Sequence, residues 1–274
     1  MNRMPSRLLT TMNAAERPKR ASAMHAVSTF IWRSWRKTIG RIHYLAIDSV
    51  VFPAIFLLIF TYLFGGAISG SPGDYLQFLL PGMLVYTVTT MTVYIGIGIK
   101  TDIERGVFNR FRTLPFWQPA AMIGTMAIHL LSFAAAILTT FGLGLLLGFR
   151  PEAGIAGFLL AFAFVMFYAF SLSWIFACIG IVVKKTETLT TMSYIALYPL
   201  MFTSNVFADT STMPDWLGRI VAYNPVSLAS SAARGLMHGT SKVSVLITSL
   251  AVLGLIMFVF MTLAFWLYRR KTNE

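Results

Sequence analysis

Residues 153–183 read AGIAGFLLAFAFVMFYAFSLSWIFACIGIVV, thirty-one consecutive positions without an Asp, Glu, Lys or Arg. Coiled as an α-helix, such a run is roughly 46 Å long, more than the ~30 Å hydrocarbon core of a bilayer. No water reaches the backbone inside that core, so every amide must be bonded within its own segment, and a helix does this in a single run. Barrel strands would alternate polar and apolar over about ten residues, and this stretch does not. The same absence of charge recurs at 49–73, 75–99, 113–149, 188–208 and 243–268. The expected fold is therefore all-α and integral to a membrane, with six transmembrane helices near 45–65, 79–99, 119–147, 154–183, 188–207 and 243–268. The third and fourth are long enough to tilt or to project beyond the bilayer. Little more than Lys184, Lys185 and Glu187 separates the fourth from the fifth, so these two should be antiparallel neighbours.

Composition agrees. Of 274 residues, 57% are hydrophobic and 12% charged, with a mean hydropathy of +0.71. A soluble domain carries about 25% charged residues, so the bulk of this chain cannot dress a water-facing surface. The net charge of +12 is placed by topology rather than by a nucleic-acid partner. Cytoplasmic loops hold the excess of Lys and Arg. With the N-terminus inside, eighteen of the 22 fall on the inner side: nine from Arg3 to Arg41, then Lys100, Arg105, Arg110 and Arg112, then Lys184 and Lys185, then Arg269, Arg270 and Lys271. Arg150, Arg219, Arg234 and Lys242 fall outside. Both termini are thus expected in the cytoplasm and the chain in the cell's inner (cytoplasmic) membrane, where its basic residues meet anionic lipid and no nucleic acid.

Residues 1–23 are polar, basic and without periodicity, which reads as a disordered cytoplasmic segment. An Arg-rich, acid-poor leader can also be a transit peptide, but no clear amphipathic helix precedes Met24. Over 24–43, Val27, Ile31, Trp35, Ile39 and Ile42 recur at spacings of four and three, with Arg33, Arg36, Lys37 and Arg41 largely opposite. That is an amphipathic helix lying in the membrane interface. The transmembrane domain proper covers 44–268, and 269–274 form a cytoplasmic tail. Between the last two spans, IVAYNPVSLASSAA at 220–233 is uncharged but only fourteen residues long. Such a length suits a re-entrant piece, and Asn224-Pro225 breaks any helix running through it, so two short helices dipping into the outer leaflet are expected.

Catalytic chemistry has no visible home. No GxxxxGK[ST] phosphate loop, HExxH, CxxC or GxSxG occurs, so no catalytic residue, metal ligand or bound cofactor is expected. His25, His43, His129 and His238 are scattered. His129 in the third span is read as a core or interface histidine rather than a proton relay, because no carboxylate accompanies it in the membrane. Asp48, at the start of the first span, can reach the headgroups or pair with Arg41 or His43. Cys178 is the single cysteine, inside the fourth span, and a buried apolar role suits it. The most informative loop follows the second span, where Ile103, Val107, Phe108, Phe111 and Leu114 alternate with charges as a short amphipathic helix over 102–114, closed by Pro115.

That loop, ERGVFNRFRTLP, resembles the cytoplasmic signature of ABC-2 type exporter permeases. FTSNVFADTSTMPDWLGRIVAYNPVSLASSAARGLMHG at 202–239 is similar to their outer loop, and FLLIFTYLFGGAI at 56–68 with YLQFLLPGMLV at 75–85 to their opening spans. The ordered set covers most of 45–268, and within the family the likeness is to the daunorubicin-resistance type of drug-export permease. The resemblance implies a type V exporter-like fold of six spans, with an interfacial helix before the first, a cytoplasmic coupling helix and outer re-entrant helices. It also implies a separate ABC ATPase subunit that hydrolyses ATP, pairing with a second copy or a related permease, and a hydrophobic small-molecule cargo. By the same analogy Glu104, Arg105, Gly106, Phe108, Arg110, Phe111, Arg112 and Pro115 belong to the helix that couples to the ATPase. Phe108, Phe111 and Leu114 would fill its apolar groove, Arg110 and Arg112 would meet its acidic groups, and Gly106 would permit close approach. Asn224, Pro225 and Arg234 mark the outer re-entrant loop. Export of a polysaccharide or lipid-linked glycan is the alternative within the family. A proton-coupled carrier is the alternative outside it, short of the intramembrane ionisable groups it would need; a membrane enzyme or passive scaffold is further off. The aromatic side chains of the fourth span, Phe162, Phe164, Phe167, Tyr168, Phe170 and Trp174 with Met166, suit a path for an amphiphilic or aromatic cargo, or else pack against lipid and neighbouring helices.

Overall fold

The computed structural model describes residues 47–105 and 120–273, preceded by Ser28, Thr29, Trp32 and Arg36 as isolated helical, exposed positions. Among the described residues all regular structure is helical. α1 occupies 47–69 and alternates π-helical turns (Ile47–Val51 and Ile59–Phe64) with α-helical ones (Phe52–Leu58 and Gly65–Ser69). Then come α2 (Pro72–Glu104), α3 (Ala120–Leu146), α4 (Gly154–Val182) and α5 (Thr186–Phe202). A 3₁₀ turn at Thr210–Thr212 leads to α6 (Asp215–Tyr223) and α7 (Pro225–His238), and α8 (Val243–Asn273) ends the chain. Among the described residues, five stretches are long and apolar enough to cross a membrane: Ser49–Ser69, Pro72–Glu104, Gly124–Leu146, Gly154–Val182 and Val243–Lys271.

Two spans differ from expectation. The second was expected over 79–99, yet α2 runs 33 residues and takes in Asp74, Lys100, Asp102 and Glu104. Its start is set by Ser71, whose hydroxyl accepts from the Asp74 amide at 3.1 Å, with Pro72 in the first turn. Ile103 and Glu104, expected to open a separate amphipathic helix, are its last turn. The remainder of that helix, including Gly106, Phe108, Arg110, Phe111, Arg112 and Pro115, lies outside the described residues, as does most of the interfacial helix at 24–43. The fifth span was expected over 188–207, but α5 has 17 residues and ends at Phe202, which makes it about 25 Å long. Ser204, Asn205 and Val206 follow as buried, non-helical chain, so the uncharged stretch is longer than the helix.

α2 is the axis of the fold. Of its most apolar window 83% is buried, against 22% for the first span and 11% for the last. Since lipid tails are as apolar as leucine, helices here associate through close packing and small residues. α2 and α4 cross backbone to backbone at Gly96 and Gly180: a Cβ on Gly180 would fall 2.5 Å from the Gly96 carbonyl oxygen. At Gly157 a Cβ would fall 2.6 Å from the Leu236 carbonyl oxygen, so α7 lies directly on α4. Four core hydroxyls are satisfied by their own helices. Thr87, Thr89, Ser171 and Ser173 each donate to the carbonyl four residues back. Thr89 spends its proton this way, so the Tyr168 hydroxyl, 2.7 Å away, donates to it and ties α4 to α2. Cys178 donates through Sγ to the Phe260 carbonyl at 3.2 Å, joining α4 to α8.

Candidate functional site

The two ends of the bundle are tied differently, and an aromatic face runs between them. At one end, α2 receives the chain that follows α5. Each notable residue of YLQFLLPGMLV has a partner there. Tyr75 donates its hydroxyl to the Phe207 carbonyl at 2.7 Å. Gln77 donates to the Gly148 carbonyl at 3.3 Å and accepts the Arg150 amide at 3.2 Å. Pro81 lacks an N–H, which leaves the Gln77 carbonyl without its helical donor. His238 Nε2 stands 3.0 Å from that oxygen. An acceptor-only carbonyl requires the ring nitrogen to donate. His238 Nδ1 faces Glu152 at 3.9 Å. Gly82 admits the backbone of Val206, whose carbonyl oxygen would lie 3.0 Å from a Cβ at that position.

Arg234 lies across this junction. Its Nε donates to the Phe78 carbonyl at 3.0 Å and one terminal nitrogen donates to the Asn205 carbonyl at 3.2 Å. The guanidinium carbon stands 3.7 Å from the Phe78 ring centre, so the charge is held by carbonyl oxygens and a π face. Asp209 caps the following 3₁₀ turn, accepting the Ser211 amide at 2.8 Å. That hydrogen bond, helped by the Arg234 charge, holds its carboxyl below the usual value. Asn224 ends α6 and begins α7. Its Oδ1 accepts the Val226 amide at 2.8 Å, while Nδ2 donates to the Leu200 and Thr203 carbonyls at 2.7 and 3.0 Å. One amide thus caps the start of α7 and the end of α5. Asn224 and Pro225 open α7 and Arg234 lies near its far end, both Asn224 and Arg234 reaching carbonyls of the chain that follows α5, while Tyr75, Gln77, Phe78 and Pro81 stand in sequence only as part of a motif. α6 turns Trp216, Ile220 and Tyr223 outward, with Val221 buried on its other face.

At the opposite end the α2 terminus meets α5. Glu104 Oε1 accepts the Thr186 amide at 3.1 Å and Oε2 accepts the Thr186 hydroxyl at 3.0 Å. Lys100, buried one turn back, places Nζ 3.8 Å from Oε1. Lys271 of α8 donates to the Ile181 carbonyl near the end of α4. Arg105 closes α2 as its C-cap.

Between these ends, aromatic rings form a continuous array over α1, α2, α5 and the segment after it. Tyr194 stacks on Tyr198 at 5.4 Å, Tyr198 meets Phe202 at 6.5 Å, and Phe202 stacks on Phe207 at 5.9 Å. Phe207 stacks on Phe60 at 4.6 Å, and Phe60 contacts Phe56 and Phe64 at 5.8 and 5.4 Å. Tyr86 closes the array behind, 5.3 Å from Phe56 and 5.6 Å from Phe207. Tyr198, Phe202 and Phe64 are exposed. The aromatics of the fourth span face elsewhere: Phe164, Tyr168 and Trp174 are buried in the core, and Phe162, Phe167, Phe170 and Met166 pack partly buried against it. His129 sits against Phe133, ring centres 6.4 Å apart, where α3 faces Gly98 of α2. The Asp48 side chain lies outside the described residues.

A family model described as ABC-2 type transporter matches residues 25–238. The chain is 47% identical over 264 residues, 96% of its own length and 93% of the relative's, to the daunorubicin resistance ABC transporter permease protein DrrB1 of Streptomyces coeruleorubidus. It is 25% identical over 201 residues, 71% of this chain and 68% of the other, to a putative transport permease, ycf38, of Cyanophora paradoxa. It is 21% identical over 209 residues, 76% and 75% of the two chains, to the probable doxorubicin resistance ABC transporter permease protein DrrC of Mycobacterium tuberculosis.

Proposed function

The chain belongs to the ABC-2 type transporter family, and from that membership we propose that it is the membrane permease of an ATP-driven exporter moving a hydrophobic drug or antibiotic outward. The observation that carries the cargo class is the 47% identity, over nearly the whole of both chains, to a daunorubicin resistance permease. The partly exposed aromatic array supports it. Ring faces hold a flat apolar molecule by stacking at offset distances of about 4.5–7 Å and offer a π surface to a cationic centre, while Tyr194 and Tyr198 add polar tips. An anion would be desolvated there without a partner.

In this reading ATP is hydrolysed on a separate ATP-binding-cassette subunit, and two permeases, identical or related, enclose the path. Arg105, Gly106, Phe108, Arg110, Phe111, Arg112 and Pro115 meet the ATPase on the cytoplasmic side, where both termini also lie. The junction of Arg234, Asn224 and α2 closes the outer end, with Trp216, Ile220 and Tyr223 at the level of the lipid headgroups. The test is expression with the cognate ATPase in a drug-sensitive host lacking its main efflux pumps, reading the retention of a panel of fluorescent hydrophobic drugs. Faster loss than with a catalytically dead ATPase is expected. No difference for any drug, together with loss of a surface glycan on deletion in the native host, would assign the chain to glycan export instead.

A further inference from the structure

α5 begins without a cap of its own. Lys185, the residue before its first turn, offers no side-chain hydrogen bond to the helix. The first backbone donor and the hydroxyl of Thr186 are both taken by Glu104, 82 residues earlier in the chain. A carboxylate at a helix N-terminus is held by the helix dipole and by charge-assisted hydrogen bonds, and Lys100 fixes it from the α2 side. Glu104 is also the last residue of α2, two positions before Gly106. At the far end α5 is held by Asn224, and its exposed rings Tyr198 and Phe202 belong to the aromatic face. A displacement of the α2 terminus therefore has a direct polar route to the start of the helix that carries part of that face.

We propose that Glu104 is a positioning residue that transmits ATPase-driven movement from the inner end of α2 to α5 through its two hydrogen bonds to Thr186. The proposal rests on the exporter reading for its driving force, and its principal readout is independent of the cargo. Lys185 already has the extended backbone, φ −130° and ψ 143°, that a following proline requires. Proline is well tolerated at a first helical position. Thr186→Pro thus leaves α5 able to form while deleting both donors to Glu104.

The complex with its cognate ATPase is purified in nanodiscs in a Cys178→Ala background, with Thr188→Cys as reporter in the first turn of α5. Its rate of reaction with a soluble maleimide is compared without nucleotide and after trapping with ATP and vanadate. With Thr186 the rate is expected to change on trapping. With Thr186→Pro the change is expected to vanish, while ATP hydrolysis and co-purification persist and daunorubicin efflux in cells falls about tenfold, the scale of a lost charge-assisted hydrogen bond. Thr186→Ser, which keeps both donors, restores the response. Should Thr186→Pro not assemble, Thr186→Val and Glu104→Gln, each removing part of the contact, are expected to diminish the response. A response undiminished in Thr186→Pro, or in both partial variants, overturns the proposal. If the unsubstituted complex expels no daunorubicin, the cargo reading fails while the maleimide rates still decide the role of Glu104.

Discussion

Replacing Gly180 by alanine puts a methyl group against the backbone of a neighbouring helix, the closest such approach among the described glycines. Its Cβ would lie 2.5 Å from the Gly96 carbonyl oxygen, 3.0 Å from the Gly96 Cα and 3.1 Å from its carbonyl carbon. These are backbone atoms and cannot turn aside. Reaching the 3.4 Å at which ordinary contact begins requires α2 and α4 to part by 3.4 minus 2.5, or about 0.9 Å, at their crossing. A gap of 0.5–1 Å forfeits roughly a quarter to a half of each dispersion contact around it, and overpacking a filled interior costs about 1–3 kcal/mol. Alanine also recovers about 1 kcal/mol of helix propensity. Gly142→Ala supplies that gain alone, since its Cβ meets nothing within 4 Å. The difference between the two variants should therefore be about 1–3 kcal/mol in favour of Gly142→Ala. Unfolding of the purified chain by SDS titration in mixed micelles measures it. Equal midpoints would refute the backbone crossing as the centre of stability.

Three further outcomes follow from the same geometry. Asn224→Ala loses an N-cap and two donors to α5 carbonyls, about 2–3 kcal/mol in the same titration; Asn224→Asp keeps the cap but not the donors and should lose only part, and an unchanged midpoint in Asn224→Asp would show that the α5 carbonyls do not matter. In a Cys178→Ala background, cysteines replacing Asp74, Glu152 and Asp215, exposed at one end of the bundle, should react with impermeant maleimide on intact cells. Cysteines replacing Arg112 and Lys185 should not, and labelling at Arg112 would invert the orientation. Arg110→Glu should leave insertion intact and lower co-purification of the ATPase, since like charges at a docking surface cost several kcal/mol; unchanged recovery and unchanged transport would remove Arg110 from the coupling surface.

The positions of the spans were legible because charge is excluded from hydrocarbon, and the Asn224-Pro225 break because the residue before proline avoids the helical region. The same criterion misjudged two ends. It stopped the second helix short at charges that sit beyond the apolar zone, and it ran the fifth on into 203–207, where the uncharged residues are held as loop by the Ser204, Ser227 and Ser231 hydroxyls. Long-range partnerships had no local signal. Tyr75 and Phe207 are 132 residues apart, and Gln77 and His238 are 161 apart; only the consequence of Pro81 for the Gln77 carbonyl could have been anticipated, and not which side chain would meet it. The aromatic residues of the fourth span suit either a path or packing against neighbouring helices, since such rings fill cores as readily as they line surfaces; they pack in or against the core, and the rings of the array that reach the surface are Phe64, Tyr198 and Phe202.

The most direct measurement is transport in a defined system. The permease and its cognate ATPase are reconstituted into proteoliposomes, and accumulation of daunorubicin by complexes with the ATPase facing outward is followed by fluorescence quenching. Accumulation that requires hydrolysable ATP, disappears with a catalytically dead ATPase and is indifferent to an imposed proton gradient is the expected result. Accumulation driven by the proton gradient without ATP would contradict an ATP-driven exporter.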